Sequence, residues 1–403
     1  MAPLKDEEHG SFRTVKNGCE CEEKSNPQVI FSGQAAEDLC CGPPAEPRSS
    51  HLEKPGYQRC RFVEKFIETP AGLVPQVKRT LDRSDIWETI KVRSGINRNQ
   101  YKITPGLYCV GAADHHSPVL VSANYKLSFD ALRQALTHSH AWILVLDTRG
   151  VNVWCAAGKG TFATEEVVRQ VRAGHLADVV SHRTLILPQL SATGVAAHQV
   201  KKQCGFKVQW GPVRSEDIEF FISHDNKCDA AMRKVTFTLW ERFVLIPVEI
   251  TLLYKYLLWF LLIAFILSGI GSGIFSFSQA WHRGLISVSA GIVGIVAGVV
   301  VAPLLLPWIP GKPFSVKGAL SGFLAGSAVA AIFWGRVNAL EVTALMLFAM
   351  AVSSYLAMNF TGSTPFTSPS GVEKEMRLAI PAQAGAVLIS SAAWLWAAFG
   401  AQG

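Results

Sequence analysis

From about Leu245 onward the chain is apolar in long runs, whereas between Val77 and Phe221 short apolar runs alternate with amphipathic stretches. Five apolar stretches, Leu252 to Gly273, Gly284 to Leu305, Val316 to Trp334, Val342 to Phe360 and Ala379 to Phe399, are each near the ~20 residues that a ~30 Å hydrocarbon core demands. They predict five membrane helices. In the alternating region the pattern predicts strands at Leu107 to Gly111, Pro118 to Ala123, Trp142 to Leu146, Thr184 to Leu187 and Phe206 to Trp210. It predicts helices at Phe129 to Thr137, Thr164 to Ala173 and Gly194 to Cys204. Such alternation argues for a parallel sheet with helices on both faces. Ahead of it, Pro, Glu, Lys and Ser dominate with little periodicity, so a mobile arm is expected, with one short helix near Phe62 to Ile67. The predicted organisation is a Cys-containing arm over 1–78, an α/β domain over 79–225, a linker over 226–248 and a five-helix transmembrane domain over 249–403.

Charge orients the membrane region. With the N-terminal domain in the cytosol, Arg233, Lys234, Arg242, Lys255, Lys312, Lys317, Lys374 and Arg377 fall inside, and Arg283 and Arg336 outside. The excess of cations on cytosolic flanks supports that choice, a multi-pass protein of the cell (inner) membrane in contact with lipid, its C-terminus outside. The net charge of +7 is scattered and accompanies no nucleic-acid-binding motif, so no nucleic-acid partner is expected. Gly318, Gly322 and Gly326 repeat at four-residue spacing in the third stretch, and Gly294 and Gly298 in the second, which predicts closely packed helices. No string of acidic residues lies in the apolar stretches, which disfavours an ion-coupled transporter. The hydroxyl-rich segment 359–376 is either an ordinary polar linker or a docking surface.

All nine cysteines precede the apolar region, and their odd number implies no disulfide framework. The charged N-terminus lacks the apolar core of a signal peptide, so the thiols are expected in the reducing cytosol. Cys19 and Cys21 form a C-x-C pair, and Cys40 and Cys41 are adjacent. Soft thiolates there suit Hg(II) or another thiophilic ion, although no second Cys or His set completes a closed site and incidental thiols explain the pairs equally well.

Cys155 stands in Asn152-Val153-Trp154-Cys155-Ala156-Ala157-Gly158-Lys159, among small residues. A buried strand, Ala141 to Asp147, precedes it and ends in Thr148-Arg149-Gly150; Thr164, a candidate cap, opens the next helix. The thiol is therefore placed between strand end and helix start, where open α/β sheets bind ligands. No G-x-G-x-x-G follows any of the strands, which argues against a nucleotide site.

The octapeptide resembles the cap-helix motif of the HgcA family, the corrinoid proteins of microbial mercury methylation. Similar segments occur in the large subunit of the corrinoid iron–sulfur protein of the acetyl-CoA pathway, and the membrane region that follows favours the first family. The resemblance implies a Rossmann-like corrinoid-binding α/β domain followed by an all-α transmembrane domain of five helices. It implies cobalamin or a related corrinoid, base-off, with Cys155 as the axial ligand of cobalt. Asn152, Val153, Trp154, Ala156, Ala157, Gly158 and Lys159 of the motif, with Thr161, would line the cofactor. The segments 117–126 and 187–195 also look like the family's domain, and Gln189, Leu190, Gly194 and Val195 would meet the corrin edge. The Asp-x-His-x-x-Gly signature of histidine-ligated cobalamin is broken, because Asp114-His115-His116 is followed by Val119 where Gly is required.

The implied activity is that of a corrinoid-dependent methyltransferase giving methylmercury from Hg(II). Hg(II) is an electrophile, so the methyl group must reach it as a carbanion equivalent or a radical. A thiolate below cobalt is a strong donor that favours this direction. Returning cobalt to the methyl-accepting state takes low-potential electrons, and the chain has no ferredoxin cysteine spacing. The family's partner, the ferredoxin-like iron–sulfur protein HgcB, would supply them, and an upstream methyl-donor protein the methyl group. Two other readings remain: a membrane corrinoid methyl carrier in one-carbon (acetyl-CoA pathway) metabolism, and a cobalamin-binding membrane receptor.

Overall fold

The computed structural model describes residues 60–363 and 369–400, which form two compact units. The first runs to Thr89 and from Asn97 to Lys234; the second combines Ile90–Ile96 with Val235–Gly403. Cys19, Cys21, Cys40 and Cys41 lie outside the described residues, as do residues 364–368 of the hydroxyl-rich segment.

The first unit opens with a hairpin, β1 (Val63–Thr69) and β2 (Gly72–Val77), continues into α1 (Arg83–Arg93), of which it keeps the part up to Thr89, and reaches β3 (Gly106–Val110) and β4 (Val119–Ala123). Next come α2 (Lys126–Ala135), β5 (Ala141–Leu146), α3 (Val153–Gly158), α4 (Thr164–Ala173) and α5 (Leu176–Val179). The unit closes with β6 (Thr184–Leu187), α6 (Ala197–Cys204), β7 (Lys207–Trp210) and α7 (Ile218–Ser223). The sheet order is β1-β2-β3-β5-β4-β6-β7. Strands β5, β4, β6 and β7 run parallel, as the alternating pattern predicts. The other three depart from it. Strand β3 lies antiparallel to β5, and the short helix expected at Phe62 to Ile67 is instead strand β1. Pairing with β2 supplies its backbone partners.

Strands β3, β4 and β5 are buried at every position, which is why their sequence is a continuous apolar run rather than an alternation. From β4 the chain crosses to β5 on one side and later to β6 on the other, so a topological switch lies between β4 and β6. Against this sheet sits a buried charge cluster. Lys126 Nζ donates to Asp85 at 2.8 Å and Asp130 at 2.7 Å, and Arg133 reaches the same two carboxylates at 2.7 and 2.8 Å. Burial works against Asp85 as an anion, but the Lys126 and Arg133 cations win and hold its carboxyl below the usual range. Burial likewise disfavours charged Lys126, and Asp130 and Asp85 overcome it and raise its pKa. Burial next to the cluster pushes the Tyr101 phenol up to about 12.

The second unit is helical: α8 (Leu239–Gly269), a two-residue-stranded turn β8 (Ile270–Gly271) and β9 (Ile274–Phe275), α9 (Phe277–Val296), a π-helical turn, α10 (Ala302–Leu304), α11 (Phe314–Ile332), α12 (Ala339–Asn359) and α13 (Pro369–Gly400). Five of its helices are long and apolar enough to cross a membrane, with α9 continuing through the π turn to Leu304. The glycine stripes do what their spacing predicts. A Cβ at Gly318 or Gly322 would lie 2.5 Å from a backbone oxygen of α12, and one at Gly298 2.6 Å from Ser353 O. Glycines of two helices thus close on the same small residues of α12, Ala349 and Ser353. Arg242 donates to the carbonyls of Pro303 and Leu304, and Lys317 to those of Leu306 and Ile309. These two cations satisfy the carbonyls left over where the second span ends. At the opposite ends of the helices Arg283 pairs with Glu341 at 3.0 Å and covers the Trp394 ring.

Candidate functional site

The carboxyl ends of β4, β6 and β7 open into an apolar crevice of about 350 Å³. Its walls include Leu120 and Val121 of β4, Leu187, Pro188 and Leu190 after β6, and Gly211 and Pro212 after β7. Asn152, Val153 and Trp154 close one side. The crevice is therefore at the topological switch, the usual ligand position in an open α/β sheet.

The loop carrying the motif is clamped before it reaches the crevice. Asn124, fully buried just past β4, accepts through Oδ1 from the Thr148 amide (3.1 Å), the Thr148 hydroxyl (2.9 Å) and the Gly150 amide (2.9 Å). Arg149 and Gly150 both take positive φ, 60° and 76°, and the Asn124 amide holds that unusual pair. From the other side Glu166 of α4 accepts from the Asp147 amide at 2.9 Å while Arg169 and Gln170 hold its carboxylate. Asn124, Thr148 and Glu166 escape a motif search because they touch the loop's backbone, not the ligand. For Asn124 the one sequence signal is a polar residue directly after the apolar strand β4.

Past the clamp, Asn152 caps α3: its Oδ1 accepts from the Cys155 amide at 2.9 Å and its carbonyl from Ala156 at 2.8 Å. Cys155 is thus inside a six-residue helix rather than in the loop before the next one. It is half-buried, Ala156 and Ala157 pack inward, and Gly158 and Trp154 are exposed. Cys155 itself does not line the crevice; it lies on the cap beside it. The Thr161 hydroxyl folds back onto the Ala156 carbonyl at 3.3 Å and closes the turn at Lys159. Cys109 is wholly buried in β3, and burial pushes its thiol up.

The two sequence segments singled out above meet here. A Cβ at Gly194 would fall 2.3 Å from the Phe162 carbonyl oxygen and 3.0 Å from Ala157 Cα, so the 188–196 loop lies directly on the cap. Thr164 does not cap α4, where Ala163 is the capping residue without a side-chain bond. Its hydroxyl instead accepts from the Ala196 amide at 2.9 Å and staples the same loop. Val195 is buried, and Gln189 turns to accept from Arg233 at 2.7 Å. His115 and His116 are at the amino end of β4, across the sheet from the crevice, where Asp114 accepts from the His116 and Ser117 amides. Among the described residues no three His, Cys, Asp or Glu side chains converge to hold a metal ion by themselves.

Residues 74–222 match the sequence profile of the delta subunit of CO dehydrogenase/acetyl-CoA synthase. The α/β domain is similar to that family. The gamma subunit of the acetyl-CoA decarbonylase/synthase complex of Methanopyrus kandleri is 30% identical over 130 residues, 32% of this chain and 28% of that one. The corresponding subunit of Methanocaldococcus jannaschii is 34% identical over 117 residues, 27% and 24% of the two chains. The large subunit of the corrinoid/iron–sulfur protein of Moorella thermoacetica is 26% identical over 114 residues, 28% and 25%. The chain thus spans about a quarter of the length of these relatives, and the profile match ends at residue 222.

Proposed function

We propose that the crevice and its cap hold a corrinoid and that the chain is a membrane-anchored corrinoid protein that carries and transfers methyl groups. Cys155 carries the reading: one soft donor, half-buried, on a short helix whose small residues leave a low, open surface at the carboxyl edge of the sheet. A lone cysteine sulfur would suit a cobalt centre whose remaining ligands come with the cofactor. When bound, the corrinoid supplies a cobalt atom that accepts and releases a methyl group. Asn152 fixes the rotation of the turn bearing Cys155, the Asn124 and Glu166 clamp fixes its height above the sheet, and Leu190 and Trp154 keep the approach apolar. The relatives, named as subunits of acetyl-CoA-forming complexes or as a corrinoid/iron–sulfur protein, support a methyl carrier of one-carbon metabolism.

A second reading keeps the site and makes Hg(II) the methyl acceptor. It is favoured by the octapeptide's placement of a thiol on the cap together with five apolar helices outside the matched segment. A ferredoxin-like iron–sulfur protein of the HgcB kind would return electrons, and a separate protein would donate the methyl group. The test is direct: full-length protein loaded with methylcobalamin is given Hg(II), and methylmercury is measured. Demethylation with matching methylmercury supports this acceptor; a loaded, stable protein giving none leaves the one-carbon carrier.

Gly194→Val should force the 188–196 loop off the cap. It should lower corrinoid occupancy several-fold, measured as cobalt per chain, because even a Cβ there collides with two backbone segments. Occupancy at the wild-type level would show that the cap tolerates displacement. The orientation proposed from charge has its own check. Reporter fusions after Arg283 and Arg336 should read as extracytoplasmic and those after Lys312 and Lys374 as cytosolic; a cytosolic Arg336 fusion would require a different number of spans.

A further inference from the structure

Residues 90–96, the last turn of α1 and the bend after it, belong to the helical unit. They form a Schellman cap. The Ile96 amide donates to the Lys91 carbonyl at 2.9 Å and the Gly95 amide to the Val92 carbonyl at 3.0 Å, with Gly95 at φ 84° in the left-handed region the motif requires. Such a cap brings the residue after its glycine, Ile96, beside the residue at the position of Ile90 in the last helical turn. Both nevertheless stay about half exposed, Ile96 at 51% and Ile90 at 49%, and the exposed cations Lys91 and Arg93 stand between them in sequence. No carboxylate interrupts the segment.

The contact of this turn with α8 sets its depth. The Thr251 hydroxyl of α8 donates to the Ser94 carbonyl, and a Cβ at Gly95 would lie 3.3 Å from Thr251 Oγ1 and 3.4 Å from Val248 Cγ2. Glycine thus lets the turn rest directly on that stretch of helix. With 31 residues α8 is about 46 Å long, whereas a ~30 Å hydrocarbon core takes ~20 residues. Counted back from Gly269, about 20 residues reach Ile250, so the helix runs on past the core toward Leu239. Exposed Tyr254, Lys255 and Tyr256 mark the same border, since Tyr and Lys are the residue types of a membrane–water interface. Val248 and Thr251 are therefore at headgroup level, and the 90–96 turn with them.

Taking α8 as a membrane span, we propose that this turn docks on the bilayer surface, with Ile90 and Ile96 against the acyl chains and Lys91 and Arg93 on the phosphates of anionic phospholipids. An apolar pair edged by cations matches that boundary in both respects, because the isoleucines leave water while the charges keep to the polar layer. Each cation near such a surface favours anionic over zwitterionic lipid by about five-fold.

The experiment is lysine footprinting of the full-length chain in nanodiscs of phosphatidylcholine, with and without phosphatidylglycerol. A water-soluble acylating reagent is added and modification of Lys91 is followed by peptide mass spectrometry, with Lys201, exposed on α6, calibrating the reagent. Lys91 should react about five-fold more slowly when phosphatidylglycerol is present. Arg93→Glu should return the rate to the phosphatidylcholine value, and Ile90→Gln with Ile96→Gln should raise it in both lipids. Equal Lys91 rates in the two lipids, or a phosphatidylglycerol effect that survives Arg93→Glu, overturns the proposal. Alkaline carbonate washing of membranes holding the same chain reads the span separately: a chain washed off refutes the span and the docking with it, whereas a retained chain with equal rates refutes the docking alone.

Discussion

The Cys155→Ala protein should fold normally and transfer no methyl group, whichever acceptor is offered, and the visible spectrum of its bound corrinoid should shift. The fold is expected to survive because the α3 cap is made by the Asn152 side chain and the Cys155 amide, neither of which the substitution removes. Trimming a half-buried thiol to a methyl group costs little packing. What is lost is the only soft donor on the cap. Cys204→Ala is the control: its thiol donates to the Val200 carbonyl at 3.2 Å within α6, away from the crevice, and neither activity nor spectrum should change. Full methyl transfer by Cys155→Ala would sink the ligand assignment and with it the proposed site, leaving the crevice to some other ligand.

How legible the site was in the sequence depended on whether its residues act through side-chain type or through backbone contact. The octapeptide stands out because a lone Cys among Ala and Gly is an unusual composition, and α4 could be placed at both its ends because its apolar face repeats at helical spacing. Strand β1 was misread since Val63 to Thr69 carries charges and only half of each face is covered, so its pairing with β2 settles what periodicity could not. The direction of β3 was equally hidden, for a wholly buried strand reads the same either way. Thr164 sits where a cap belongs, yet it is taken by the Ala196 amide, a partner 32 residues away that no local rule can see. In the helical unit, by contrast, the glycine spacing was enough, because close approach of helices is set by residue size alone.

Arg133→Ala should destabilise the α/β unit more than any other substitution outside the crevice. Its side chain is wholly buried and meets four acceptors: Asp130 and Asp85 by ion pairs, and the Lys78 and Thr80 carbonyls at 2.6 and 3.0 Å. The replacement leaves two carboxylates to share Lys126 and strands two carbonyls, and breaking a buried pair in this way costs on the order of 3–5 kcal/mol. Against total stabilities of about 5–15 kcal/mol, that is a large share. Glu216→Gln, which removes an exposed pair to Arg214 at 3.8 Å, should stay within ~1 kcal/mol. Hydrogen exchange of the β4 and β5 amides in the full-length chain reads this unit apart from the helices. The pH dependence separates lost charge from lost packing. Because the native pKa of Asp85 is depressed, its contribution is present above the unfolded value of about 4 and disappears as pH falls through the native one. The gap between wild type and Arg133→Ala should therefore narrow in acid; a gap that stayed constant down through the titration of Asp85 would mean that Arg133 acts by filling space rather than by charge.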